Sequence, residues 1–275
     1  AIRIGGLTVQ EIVEQVGTPA YVIDEVDFRG RALTWRQAFE GWKVYYASKS
    51  FLCGTVARWI DDAGLNLDVA SMGELTVALR AGFDPARIGL HGNSKPDALL
   101  RRAVTAGVGT IIVDSQQEVE RLAAVAAEAG RTQPVLVRIN SGIHAATHSY
   151  LATSHEDQKF GLTFDEARAA IARIREVDGL ELAGLHSHIG SSIHDAGFGA
   201  AADRLMRFRA ELLAGGPVPE VNLGGGFGIA YLPSDDATPL AELARGIAAE
   251  VERACRETGT DLPRLTFEPG RSLVG

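Results

Sequence analysis

Short apolar runs rich in valine, isoleucine and leucine recur along the chain: "VYYA" (44–47), "LNLDVA" (65–70), "RIGLH" (87–91), "GTIIVD" (109–114), "VLVRIN" (135–140), "LAGLHSHIG" (182–190), "VPEVNLGGG" (218–226) and "RLTFEPG" (264–270). In each, the apolar residues run on with little alternation, as in strands of a parallel sheet covered on both faces. Between them lie segments of helical period, at 51–62, 73–81, 96–105, 115–129, 163–177, 198–213 and 239–256, and another at 27–40 precedes the first strand. Ser71 with Glu74 has capping-box spacing. Pro96 suits a first helical turn, and Asp114-Ser115 and Thr163 suit N-caps. Eight strands alternating with eight helices predict a (β/α)8 barrel, an α/β fold closed by the leading helix. An open doubly wound sheet would also alternate, but it needs no eight units and would gather its ligand residues at one switch point.

The strand ends carry the chemistry. Lys49, Asp68, His91, Asp114, Arg138, His188, Gly224 to Gly226 and Glu268 stand at or just past them. In a barrel these positions face one mouth, where barrel enzymes place their sites. Lys49 in "KVYYASKSF" is an ammonium between two apolar segments; alone it would be an ordinary surface lysine, but at such a mouth it becomes a candidate amine nucleophile. "LGGGFG" (223–228) follows a strand, and Gly224, Gly225 and Gly226 suit either a tight turn or a backbone cradle for an anion. "HSHIGSS" (186–192) sets His186 and His188 on one face of a strand. They could ligate a metal, but no third ligand stands at zinc spacing, and no metal is expected. His188 could stack on a cofactor ring, Ser191 could bind a phosphate, and His186 could be a satisfied core residue. "FEPGRS" (267–272) ends the last strand in a carboxylate, and Pro269-Gly270 turns Arg271 back toward the same mouth.

Composition narrows the class. The chain has 275 residues, 46% of them hydrophobic, enough for one large core. A formal net charge of −8 disfavours nucleic acid and anionic membranes as partners. No apolar run approaches the ~18 residues of a membrane span, and "AIRIGGLTVQEIVEQ" lacks the layout of a secretory signal. Two cysteines, Cys53 and Cys255, give no disulfide framework. A cytoplasmic protein with free thiols is expected.

Taken together, "YYASKSF" around Lys49, "DVASMGEL" (68–75), "HGNSKP" (91–96), "THSYLATSHEDQKFG" (147–161), "HSHIGS" (186–191), "LGGGFG" and "EPGR" (268–271) resemble, in order, the motifs of the diaminopimelate decarboxylases. These belong to the alanine-racemase-like, fold-type III enzymes that use pyridoxal 5′-phosphate. The resemblance implies a pyridoxal-phosphate barrel over 27–275, and a segment 1–26 associated with a β-sheet domain that the chain lacks, its "AIRIGGL" left unpaired. It implies that Lys49 carries the cofactor as a Schiff base, made a usable amine by burial, that Glu268 faces the pyridine nitrogen, and that His188 stacks on the ring. Ser191, Gly224, Gly225 and Gly226 would hold the phosphate. Asp68 would lie near the Schiff base, Arg138 would line the pocket, and Arg271 would grip a substrate carboxylate. The implied reaction converts meso-2,6-diaminopimelate to L-lysine and CO2 in a cytoplasmic homodimer, with the general acid outside this chain. Met72 and Ser192 replace a usual glycine and glutamine, which leaves open a related decarboxylase acting on another amino acid in secondary metabolism; a non-catalytic cofactor-binding homologue is a separate alternative.

Overall fold

The computed structural model describes residues 2–142, 160–188, 195–230 and 239–275. Eight parallel strands close into a barrel. They are β3 (Lys43–Ala47), β4 (Asn66–Val69), β5 (Ile88–Leu90), β6 (Thr110–Val113), β7 (Gln133–Arg138), β8 (Leu180–His186), β9 (Glu220–Asn222) and β10 (Arg264–Phe267), with β10 pairing β3 to complete the ring. The strands are shorter than the apolar runs that announce them. Residues past each strand's last pairing lead into the mouth, and Gly224 takes φ +71, which ends β9 as a regular strand.

Helices fill the outer layer: α2 (Glu25–Ala38), α3 (Gly54–Asp62), α4 (Met72–Arg80), α5 (Asp97–Ala106), α6 (Gln116–Glu128), α7 (Phe164–Glu176), α8 (Asp195–Leu212) and α9 (Leu240–Thr258). Ser71, Ser115 and Thr163 are N-caps as their spacing predicts, Thr163 in a full capping box with Glu166. Pro96 stands one place earlier than expected, as the N-cap of α5. The leading helix starts at Glu25, two residues before the expected boundary, because Asp24 caps it by accepting from the Val26 and Asp27 amides.

"AIRIGGL" is not left unpaired. β1 (Arg3–Ile4) and β2 (Leu7–Thr8) pair antiparallel with each other. Gly5 (φ 57) and Gly6 (φ 85) supply the two positive φ angles of a tight hairpin turn. Asp24 ties this hairpin to α2 by accepting from the Gly5 amide at 2.6 Å. α1 (Val9–Val16) follows, with none of its residues buried.

An aromatic cluster joins the outer layer to the mouth. Trp35 stacks on Phe39 at 5.0 Å, and Phe227 sits 4.5 Å from both Trp35 and Phe198. Phe267, the last residue of β10, lies 4.8 Å from Phe39. Burying these rings anchors the chain just after the glycine run and just before Glu268. Both cysteines are free. Among the described residues no helix is long and apolar enough to cross a membrane.

Candidate active site

The C-terminal mouth holds a cavity of about 300 Å³ whose wall includes Lys49, Asp68, His91, Arg138, His188 and Glu268. A second, of about 340 Å³, adjoins it and is lined by Gly226, Gly270 and Arg271 as well as Lys49, His188 and Glu268. The chain thus brings together residues from seven strand ends, and Lys49, His188 and Glu268, with Ala47, border both spaces. Lys49 does not end β3. It lies in a one-turn 3-10 helix, Ser48–Ser50, and it is exposed rather than buried, because the mouth is open there. Arg271 is the first residue of a short helix, α10 (Arg271–Val274). Ser191, Ser192 and most of "THSYLATSHEDQKFG" lie outside the described residues. Met72 is the first residue of α4 and stands outside both cavity walls.

Glu268 is the most heavily bonded group. Its Oε1 accepts from Asn222 Nδ2 at 2.6 Å and from His91 Nε2 at 2.9 Å, and its Oε2 accepts from His186 Nε2 at 3.1 Å. Burial alone would favour the neutral acid, but His91 and His186 outweigh it and hold the carboxyl well below its ordinary range. Asp68 Oδ1 also reaches His91 Nε2, at 3.1 Å. Burial first, then the neighbouring Glu268, raises Asp68 to about 6. For His91, desolvation is outweighed by Asp68 and Glu268, and the imidazolium persists to about 9. Asn222 is not among the expected site residues, and His91 is expected at the mouth but without a role. The signal for Asn222 is an amide inside the apolar run "VPEVNL", where only a bonded polar group belongs.

His188 has the opposite character. Its Nδ1 accepts from the Gly225 amide at 3.1 Å. Burial, then the Lys49 charge, lowers it to about 3, so it presents a flat neutral ring. His186 is also neutral, lowered to about 4 by burial above all. The glycine run serves the backbone first. The Gly224 amide donates to Asn222 Oδ1 at 2.8 Å and the Gly225 amide to His188. Two of the three N–H groups expected to cradle an anion therefore have partners already, and Gly226, with φ 99, is the one that lines a cavity.

Arg138 lies 3.6 Å from Asp114 and 4.9 Å from the Phe160 ring. Behind it, Glu118 accepts from the Asp114 amide at 2.9 Å and from the fully buried Lys95 ammonium at 2.6 Å, which ties the His91 loop to α6. His91, His186 and Glu268 stand close enough to share an ion. A ligating imidazole, however, needs its second N–H held, and His186 Nδ1 is buried without a partner among the described residues. Hydrogen bonding from Nε2 to the carboxylate satisfies this ring better.

These groups set the pH dependence of stability. Between about pH 4 and 6.5 the unfolded chain protonates His186 and His188 while the folded one does not, and the folded chain keeps one proton on Asp68 that the unfolded one has lost. The unfolded state binds about one proton more, so stability rises with pH across this window. Above about 6.5 the sign reverses. His91 stays protonated only when folded, and its contribution is lost as pH rises through about 9. Denaturant midpoints measured from pH 4 to 9 should therefore peak near neutrality; a steady fall from pH 4 to 7 would contradict these assignments.

Residues 25–275 match the family model described as "Pyridoxal-dependent decarboxylase, pyridoxal binding domain". The chain is 50% identical over 283 residues to a diaminopimelate decarboxylase of Mycobacterium leprae, covering 99% of this chain and 60% of that one. It is 49% identical over 284 residues to the Mycobacterium bovis enzyme, covering 100% and 64% respectively. The crystal structure of diaminopimelate decarboxylase from M. jannaschii superposes with a TM-score of 0.90 at 31% identity, over 98% of this chain and 64% of that one. The same enzyme in co-complex with L-lysine gives 0.89. The chain thus spans less than two thirds of the length of these relatives. With a closed eight-stranded barrel and a lysine, a neutral histidine and an ionised glutamate at its mouth, the chain belongs to the pyridoxal-dependent decarboxylase family, as a fold-type III barrel domain of the diaminopimelate decarboxylase kind.

Proposed function

We propose that this mouth binds pyridoxal phosphate covalently through Lys49, and that the protein decarboxylates meso-2,6-diaminopimelate to L-lysine and CO2. The observation that carries this reading is that Lys49, His188 and Glu268 border both cavities, so an amine, a flat ring and a carboxylate converge on one space. The residues fit the cofactor in two further respects. A carboxylate offers about four acceptor positions, and three on Glu268 are filled, which leaves one on Oε2 for a protonated pyridine nitrogen. Ser48 Oγ, in the wall beside Lys49, is buried with no partner among the described residues.

When bound, the cofactor supplies an electron sink for the pair left at Cα as CO2 departs. The chain's own residues position it. Glu268 would hold the ring nitrogen protonated, His188 would cover a ring face, and Gly224, Gly225 and Gly226 would shape the phosphate end, joined by Ser191, which lies outside the described residues. Asp68 stands beside the reacting centre, Arg138 walls the pocket, and Arg271 offers a forked donor to a substrate carboxylate. The specific substrate rests on the curated relatives, and the homodimer on the motif resemblance alone.

Borohydride reduction in the presence of pyridoxal phosphate, followed by digestion and mass spectrometry, tests the site. The pyridoxyl group is expected on Lys49. Lys43 is ion-paired to Glu220 at 3.0 Å, and Lys95 to Glu118. Labelling of Lys43, Lys95 or Lys159 instead would overturn the assignment. Release of L-lysine from meso-diaminopimelate, but not of amines from ornithine or arginine, tests the substrate.

A further inference from the structure

Two buried carboxylates, Asp68 and Glu268, converge on a single nitrogen, His91 Nε2, at 3.1 and 2.9 Å. One N–H cannot make two full hydrogen bonds, and ionised carboxylates this close repel strongly out of water. The arrangement is stable when the shared donor is itself a cation. The fold makes room for it: Gly89 is the strand partner of Asp68, and a Cβ there would lie 2.9 Å from Asp68 Oδ1. On the far side Asn222 and His186 fix Glu268, and the His186 ring meets His91 edge-on at 5.0 Å.

We propose that His91 is a positioning residue of this site: as an imidazolium bridging Asp68 and Glu268, it clamps the two carboxylates together and keeps Glu268 in its anionic form at the cavity wall. The remaining ionisable groups facing the cluster are Tyr45 on β3 and Lys49 after it, Arg138 at the end of β7, and His186 and His188 at the end of β8. The last two are neutral, so His91 is the cation in direct contact with both acids. The use of the clamp, holding the pyridine nitrogen protonated through Glu268, rests on the proposed function; the clamp itself does not.

Nuclear magnetic resonance on the full 275-residue chain tests it. In the wild type, the His91 ring should remain protonated above pH 8. His91→Gln keeps an N–H donor but no charge, so one carboxyl of the Asp68–Glu268 pair should take up its proton roughly one pH unit or more higher than in the wild type. A His91 ring already neutral at pH 7, or a His91→Gln chain whose carboxylates titrate as in the wild type, would overturn the proposal. If His91→Gln does not fold, the wild-type ring titration decides alone. Failure of Lys49 to take the pyridoxyl label while these titrations behave as expected would count against the cofactor reading and leave the clamp standing.

Discussion

Glu268→Gln should weaken cofactor binding by about ten- to a hundredfold and reduce turnover further, while Lys49 still takes the pyridoxyl label at saturating cofactor. The carboxylate accepts from three donors: Asn222 Nδ2, His91 Nε2 and His186 Nε2. A glutamine presents one carbonyl oxygen with two acceptor positions and an amide nitrogen that only donates. At least one of the three donors then loses its partner and faces another N–H. Each such buried, unsatisfied group costs about 1–3 kcal/mol of folding stability with or without cofactor; the expected loss of affinity comes from the charge-assisted hydrogen bond that the carboxylate would make to the ring nitrogen, about 1.5–3 kcal/mol. The positive side of the cluster changes too. His91 is held protonated by Asp68 and Glu268 together, so the variant's His91 should lose its proton at lower pH. The greater fall in turnover follows from the electron-sink role, since an amide cannot stabilise a protonated pyridine nitrogen as an anion does. Affinity can be read from absorbance titration of the cofactor, and turnover from L-lysine release. A variant that turns over and binds as the wild type does would show that Glu268 is not the group that tunes the ring.

The barrel was legible because each strand is buried on both faces and therefore reads as a continuous apolar run. The polar residues at the strand ends then mark the mouth. Lys49, Asp68, Arg138, His188 and Glu268 could be placed on one wall in this way. What escaped depends on partners distant in sequence. His186 reads equally well as a core histidine, and only its 3.1 Å contact with Glu268, 82 residues away, gives it a place in the site. The link between Asn222 and Glu268 crosses from β9 to the end of β10, and no local pattern encodes it. The hairpin β1–β2 was missed because two-residue strands have no periodicity; its only mark is Gly5-Gly6, and that needs a turn type to be read. The burial of Lys49 is implied only by the family resemblance, and one turn of 3-10 helix is enough to bring it out at the rim.

The glycine run "LGGGFG" was read as an anion cradle or a tight turn, and the packing around Gly225 leads to a sharper expectation: Gly225→Ala should be among the most damaging single-methyl additions in the chain. A Cβ at Gly225 would stand 2.1 Å from the Glu268 carbonyl oxygen, a collision with backbone that no side-chain rotation relieves. To clear it, the glycine run and the end of β10 must separate. That movement breaks the Gly225 amide bond to His188 and strains the bond from the Glu268 amide to the Gly224 carbonyl, now 2.9 Å. Overpacking a close-packed site costs about 1–3 kcal/mol when side chains can yield; with backbone as the obstacle the loss should be about 3 kcal/mol or more, and His188 and Glu268 should be displaced together. Gly246, inside α9, is the contrast. Nothing lies within 4 Å of its added Cβ, so Gly246→Ala should gain roughly 0.5–1 kcal/mol from helix propensity and a less flexible unfolded chain. Denaturant midpoints for the two variants should move in opposite directions, and only Gly225→Ala should lose cofactor affinity. A Gly225→Ala chain that unfolds at the wild-type midpoint and keeps its affinity would show that the backbone at this crossing yields freely, and that an anion rather than close packing selects glycine there.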